Sequence, residues 1–181
     1  MKLNYRPEID GLRAIAVGAV IIYHAQINIF GQKIFQGGFL GVDIFFVISG
    51  YLITSIILKE LIATKSFSFS YFYARRIRRI LPVLLFVILA SLPLAWIYLL
   101  PDSFIDFSKS ILYSLGFSSN YYFWYSGLEY GAEKGIFIPF LHTWSLSVEE
   151  QFYIFFPIFL VLYLKIVKNK LFIFGIIIIS I

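Results

Sequence analysis

The chain has 181 residues, of which 60% are hydrophobic, 20% aromatic and only 14% charged, and its mean hydropathy is +0.87; a soluble domain carries about 25% charged residues, so this composition excludes one and predicts an all-α, polytopic transmembrane helical bundle. Zero cysteines exclude a disulfide framework, a thiolate metal site and a cysteine nucleophile, and two histidines leave too few ligands for a protein-held metal. The net charge of +5 collects at the ends of apolar segments, where it sets orientation, so no nucleic-acid partner is expected.

Four segments reach the roughly 20 residues that a bilayer crossing needs: Leu12 to Phe30, Phe39 to Leu58, Ile80 to Leu100, and Ser147 to Leu164. A fifth apolar run starts at Leu171 and reaches the last residue. Residues 1–181 therefore read as the N-terminal part of a larger membrane domain. The basic start is broken by Glu8 and Asp10, which argues for an uncleaved first helix rather than a signal peptide. With the N-terminus in the cytoplasm, only Lys33, Lys109 and Lys134 of the 15 Lys and Arg fall outside, the bias that orients a membrane protein. Ser110 to Leu128, "SILYSLGFSSNYYFWYSGL", is also free of charge. Crossing there would reverse the sides of everything after it, and its Tyr, Trp, Ser and Asn content suits a re-entrant or interfacial element.

Ionisable groups inside apolar helices are costly and are functional candidates. Arg13 and His24 are eleven positions apart, within about 20° of three full turns, and so share one helix face. A hydrogen-bonded structural histidine is the bland alternative. Asp43, the one acid of "GGFLGVDIFFVISGYLITS", is expected at a depth near His24, where its carboxylate on Nδ1 would raise the imidazole's basicity; capping of the second helix is the alternative. The nearby glycines and Ser49/Gly50 permit close helix packing.

"SYFYARRIRRILP" places Arg75, Arg76, Arg78 and Arg79 before the third span. Pairs three apart could fork onto phosphate, or the cluster could be a topology anchor. "FLHTWSLSVEEQFYIFFP" gathers His142, Trp144, Ser147, Glu149 and Glu150. Ser147 with Glu150 fits a capping box, whereas the whole group reads equally as a polar edge facing an acceptor on the outer side. No phosphate-binding glycine loop, nucleophile elbow or zinc motif is present in the sequence.

These stretches together, "YRPEIDGLRAIAV", "GGFLGVDIFFVISGYLIT", "FYARRIRRILP" and "HTWSLSVEEQFY" in that order, resemble the acyltransferase-3 family of integral membrane O-acyltransferases. The resemblance implies an enzyme that moves an acyl group, typically acetyl, from cytoplasmic acyl-CoA to a hydroxyl of an extracytoplasmic acceptor: surface polysaccharide, lipopolysaccharide O-antigen or peptidoglycan. It implies a multi-pass protein of the bacterial inner membrane with no metal, for which lipid, acyl-CoA and glycan are the partners. It also implies that His24 is catalytic, that Arg76 and Arg79 bind acyl-CoA with Arg13 near the same entrance, and that Glu149 or Glu150 is functional. His24 would serve as general base or as acyl carrier, oriented by Asp43 or by Glu149/Glu150. Family members are longer, and many carry a C-terminal SGNH-hydrolase-like domain that these 181 residues do not contain. A transmembrane acyl-group conduit, with the chemistry done by another domain, is the alternative function.

Overall fold

The structure, a computed structural model, describes residues 6–29, 32–33, 36–127 and 138–166. Its elements are α1 (Pro7–His24), β1 (Asn28–Ile29), β2 (Gln32–Lys33), a 3-10 helix (Gln36–Phe39), α2 (Leu40–Thr64), α3 (Phe69–Tyr98), α4 (Pro101–Leu115), α5 (Ser119–Tyr125) and α6 (Thr143–Ile166). The all-α architecture expected from composition is present, the strands among the described residues being a single two-residue ladder. Among the described residues three helical stretches are long and apolar enough to cross a membrane: Gln36–Thr64, Phe69–Tyr98 and Thr143–Ile166. Residues 128–137 and the apolar run from Leu171 lie outside the described residues.

The expected helix over Leu12 to Phe30 is shorter and shifted. α1 has 18 residues, carries Glu8, Asp10 and Arg13, and ends at His24. Gln26 then adopts a left-handed φ of 47°, and the ladder pairs Asn28 with Lys33 and Ile29 with Gln32. The amide-rich "AQIN" stretch favours a turn over continued helix, which its lack of charge concealed.

The chain divides into two compact units, Met1–Phe67 with Phe156–Ile181, and Ser68–Phe155. In the first, α1 and α2 run antiparallel across a glycine seam. A Cβ added to Gly38 would stand 2.3 Å from the carbonyl oxygen of Ala19, and one on Gly41 would stand 2.5 Å from that of Ala16. Only glycine lets the backbones approach so closely, the small-residue packing typical of membrane helices. Gly50, expected to serve the same purpose, has nothing within 4 Å of its added Cβ.

In the second unit, α3 is capped by Ser68, whose Oγ accepts from the Tyr71 N–H at 3.4 Å. The helix thus starts well before Ile80, and the four arginines expected ahead of it lie two to three turns inside it. Pro82 and Pro93 interrupt its hydrogen-bond ladder, as membrane helices tolerate. Leu84, Ile88 and Ala95 of α3 pack with Phe107 and Ile111 of α4 and with Phe140. α4 stops at Gly116, Phe117 turns the chain with a φ of 48°, and α5 follows. Neither piece reaches the length of a crossing; the 15 residues of α4 rise about 22 Å.

Buried hydroxyls tie this broken segment to the start of α6. Ser114 Oγ is 2.7 Å from Thr143 Oγ1, Thr143 Oγ1 donates to Ser119 Oγ at 3.0 Å, and Ser119 Oγ is 2.7 Å from Ser147 Oγ. Gln151 Nε2 adds bonds to the Phe117 carbonyl at 2.8 Å and to Asn120 Oδ1 at 3.0 Å. The polar groups buried here satisfy one another, which makes the junction specific as well as cohesive.

Candidate active site

The second unit brings the arginine-rich part of α3 against the Glu-Glu part of α6. Tyr73 donates its hydroxyl proton to the Ile154 carbonyl at 2.8 Å, fixing the register. The Arg76 guanidinium then lies over the Tyr153 ring at 4.2 Å and over the Phe72 ring at 5.3 Å, contacts that favour a cation on an aromatic face. Phe72 and Tyr153 are both buried. Tyr153 donates to Glu149 Oε1, and both carboxylates act electrostatically on Arg76. Glu150 is 7% exposed, and its Oε1 is a buried acceptor with no hydrogen-bond partner among the described residues. Such an oxygen costs free energy as it stands and marks a place where a ligand's donor would be welcome.

This geometry corrects one expectation. Glu149 and Glu150 were expected at the outer edge, with Arg76 at the cytoplasmic one, yet acids and arginine share a single level. The cause is the start of α6: the helix begins at Thr143, not Ser147, so Glu150 sits seven residues, about 10 Å, down the helix. Of the other arginines, Arg75, Arg78 and Arg79 are all exposed, and Arg75 stacks on Tyr71 at 4.4 Å. The arginine pair of Arg76 and Arg79 is thus divided between a half-buried and an exposed setting.

Ser147 does not form the expected capping box, because it is interior to α6. The residue is 1% exposed, and its Oγ lies 2.7 Å from Ser119 Oγ and accepts from the Ser119 N–H at 3.2 Å. His142 and Trp144 flank the first residue of α6, with the exposed His142 ring stacked on Phe140 at 6.1 Å. They stand at the end of α6, about two turns from Glu150.

In the first unit, Arg13 and His24 belong to one continuous helix, and the shared face stands. Arg13 pairs with Asp10 at 3.6 Å. His24 is the last residue of α1, and it is exposed. Its Nδ1 is 2.8 Å from the Val20 carbonyl oxygen, which can only accept, so Nδ1 carries the proton. The expected carboxylate of Asp43 on Nδ1 is therefore replaced by a backbone carbonyl. Asp43 lies exposed in the first turn of α2, where the helix dipole favours an acid. The seam places Gly41 against Ala16 and Val20, so Asp43 falls near the level of Ala16, about 12 Å along α1 from His24.

Among the described residues no group of three or more His, Cys, Asp or Glu could hold a metal ion. Sequence reasoning missed Phe72, Tyr73 and Tyr153 as site residues. A signal was there: Tyr153 is four residues after Glu149, and Tyr73 three before Arg76, spacings that put each pair on one helix face.

A family model described as an acyltransferase domain matches residues 6–181. The chain belongs to the acyltransferase-3 family. It is 44% identical over 169 residues to a Staphylococcus aureus (strain MSSA476) protein whose name includes O-acetyltransferase, covering 93% of this chain and 27% of that protein. It is 40% identical over 166 residues to the peptidoglycan O-acetyltransferase OatA of Listeria monocytogenes, covering 92% and 26%. It is 39% identical over 155 residues to the O-acetyltransferase OatA of Staphylococcus aureus (strain NCTC 8325 / PS 47), covering 86% and 24%. The chain thus spans about a quarter of the length of these curated relatives. No solved structure matches it.

Proposed function

We propose that the protein of which this chain is part is an O-acyltransferase of the bacterial inner membrane, with its N-terminus in the cytoplasm. It moves an acetyl or similar acyl group from cytoplasmic acyl-CoA to a hydroxyl of an extracytoplasmic cell-surface glycan, with peptidoglycan the acceptor favoured by the name of the Listeria relative. The observation that carries this reading is the charged cluster of Arg76, Glu149 and Glu150 between two helices long and apolar enough to cross a bilayer, where such groups are retained for function.

The arginine-rich stretch of α3 receives the donor. His24 carries its proton on Nδ1, so the basic lone pair of the neutral ring is on Nε2. That nitrogen takes the proton of the acceptor hydroxyl, or carries the acyl group briefly. In either route an ester C–O bond forms, the thioester C–S bond breaks with its electron pair on sulfur, and the hydroxyl proton finally neutralises the CoA thiolate. His142 and Trp144, at the other end of α6 from Lys165, meet the acceptor.

The test is release of CoA thiol together with formation of an O-acetyl ester on a soluble glycan, by the full-length protein in detergent. His24→Ala is expected to lower the rate by about 10²–10⁴. A near-wild-type rate in that variant would contradict the assignment, and acyl passage without any ester formed would favour the conduit.

A further inference from the structure

Two arginines of α3 lie over aromatic rings, and their settings differ. Arg75 meets Tyr71, one turn earlier on its own helix, at 4.4 Å, and both residues are exposed. Arg76 meets Phe72 of its own helix at 5.3 Å and, at 4.2 Å, Tyr153 of α6. Those two rings are only 1% and 4% exposed. The attraction of a cation to a ring face is weak in water and grows where water is excluded, so the Arg76 contacts are the stronger ones.

The ring that α6 contributes is itself held. Tyr153 donates its hydroxyl proton to Glu149 Oε1, one turn earlier on α6, and the neighbouring Ile154 carbonyl accepts from Tyr73 of α3 at 2.8 Å. The backbone at this point is tied to α3 and the ring is tied to α6, so the face beneath Arg76 has little freedom to move. An arginine side chain has many rotamers, and a ligand that must first order it loses affinity by that entropy. A ring face orders the guanidinium in advance without consuming its N–H donors, which lie in the guanidinium's own plane.

We infer that Tyr153 is a positioning residue: its ring, steadied by Glu149, sets the Arg76 guanidinium in place before the acyl donor arrives. This rests on the acyltransferase reading above, in which the arginine-rich stretch of α3 receives acyl-CoA. The effect of Tyr153 on the donor passes through Arg76, not through a contact of its own. A residue that acts through another leaves a specific mark, because its removal matters only while the other is present.

The experiment uses the full-length protein in detergent and measures affinity for acetyl-CoA together with KM and kcat for acetyl transfer. Wild type is compared with Tyr153→Leu, Tyr153→Phe, Arg76→Gln and the Arg76→Gln/Tyr153→Leu double variant. Tyr153→Leu is expected to weaken acetyl-CoA binding by about tenfold, with KM raised and kcat little changed. Tyr153→Phe, which keeps the ring face, is expected to bind nearly as wild type does. In the Arg76→Gln background, Tyr153→Leu is expected to weaken binding no further. Tyr153→Met, which fills the space without a π face, carries the same expectations where the Leu variant unfolds. Wild-type affinity in Tyr153→Leu, equal losses in the Leu and Phe variants, or a tenfold loss that persists beside Arg76→Gln overturns the positioning role and leaves the acyltransferase reading intact. Wild type that binds no acetyl-CoA overturns both.

Discussion

The α1–α2 pair and the α3–α6 region solve helix association in opposite ways. In the first, Gly38 and Gly41 bring two backbones into contact, and the charged groups, Arg6 with Glu8 and Arg13 with Asp10, stay toward the surface. In the second, Ser110, Ser114, Ser119, Thr143, Ser147 and Glu150 are all buried. The hydroxyls of Ser114, Thr143, Ser119 and Ser147 pair among themselves and that of Ser110 donates to the Phe107 carbonyl, whereas Glu150 keeps an oxygen without a donor among the described residues. A glycine seam gains its contact from the backbones and buries few polar groups, Ser49 and Thr54 of α2; a polar interior whose one unpartnered side-chain atom among the described residues is a carboxylate oxygen is what a binding site needs before its ligand arrives.

If the seam depends on backbone contact, Gly38→Val should separate α1 from α2. Overpacking of this kind costs about 1–3 kcal/mol, with more where backbone must move, and a thermal unfolding scan of the full-length protein should show the largest drop of any change considered. The hydroxyl chain should respond next. Ser119→Ala and Ser147→Ala each strand a buried partner, at about 1–3 kcal/mol. Their double variant should cost less than the sum of the two, because the pair is removed together; strict additivity would show that the two hydroxyls do not interact.

Surface charge in the first unit should matter less. Asp10→Asn removes a partly exposed ion pair and should change stability by about 0–1 kcal/mol, falling further as salt is raised. The smallest effect is a pH one. The Glu8 carboxyl is held below its ordinary value of 4.5 by its own backbone N–H first and by Arg6 second. Its contribution to stability is therefore present above that value and lost as pH falls through the lower folded one. The Glu8 side chain is 54% exposed, so Glu8→Gln should leave the acid limb of a stability profile almost unchanged, and a large shift would mean the group is more enclosed than its surface position indicates.

Much of this contrast was written in the sequence at the level of composition. The long apolar helices α2, α3 and α6 follow from hydropathy, and the broken α4–α5 segment from Ser, Asn and Gly within an otherwise apolar run. The register between helices was not legible. Nothing local tells Arg76 that it will face Tyr153, since that follows from where α3 and α6 begin, and both start earlier than their apolar runs do. The same error displaced His24: apolarity over Ala25 to Phe30 resembles helix, but Gln26 and Asn28 direct the backbone into a turn and a ladder. Asp43 was paired with His24 by counting depth from helix ends that the structure moves.

The claim on which the account turns is that the unsatisfied Glu150 oxygen is kept for a ligand and not for the fold. The most direct measurement is Glu150→Leu in the full-length protein, read for thermal unfolding and for acetyl transfer together, with Glu150→Gln, which retains an acceptor oxygen, as the companion variant. The account predicts that Glu150→Leu unfolds at or above the wild-type temperature yet loses acetyl transfer, and that Glu150→Gln recovers part of it. A destabilised Glu150→Leu that still transfers acetyl groups at the wild-type rate would contradict it.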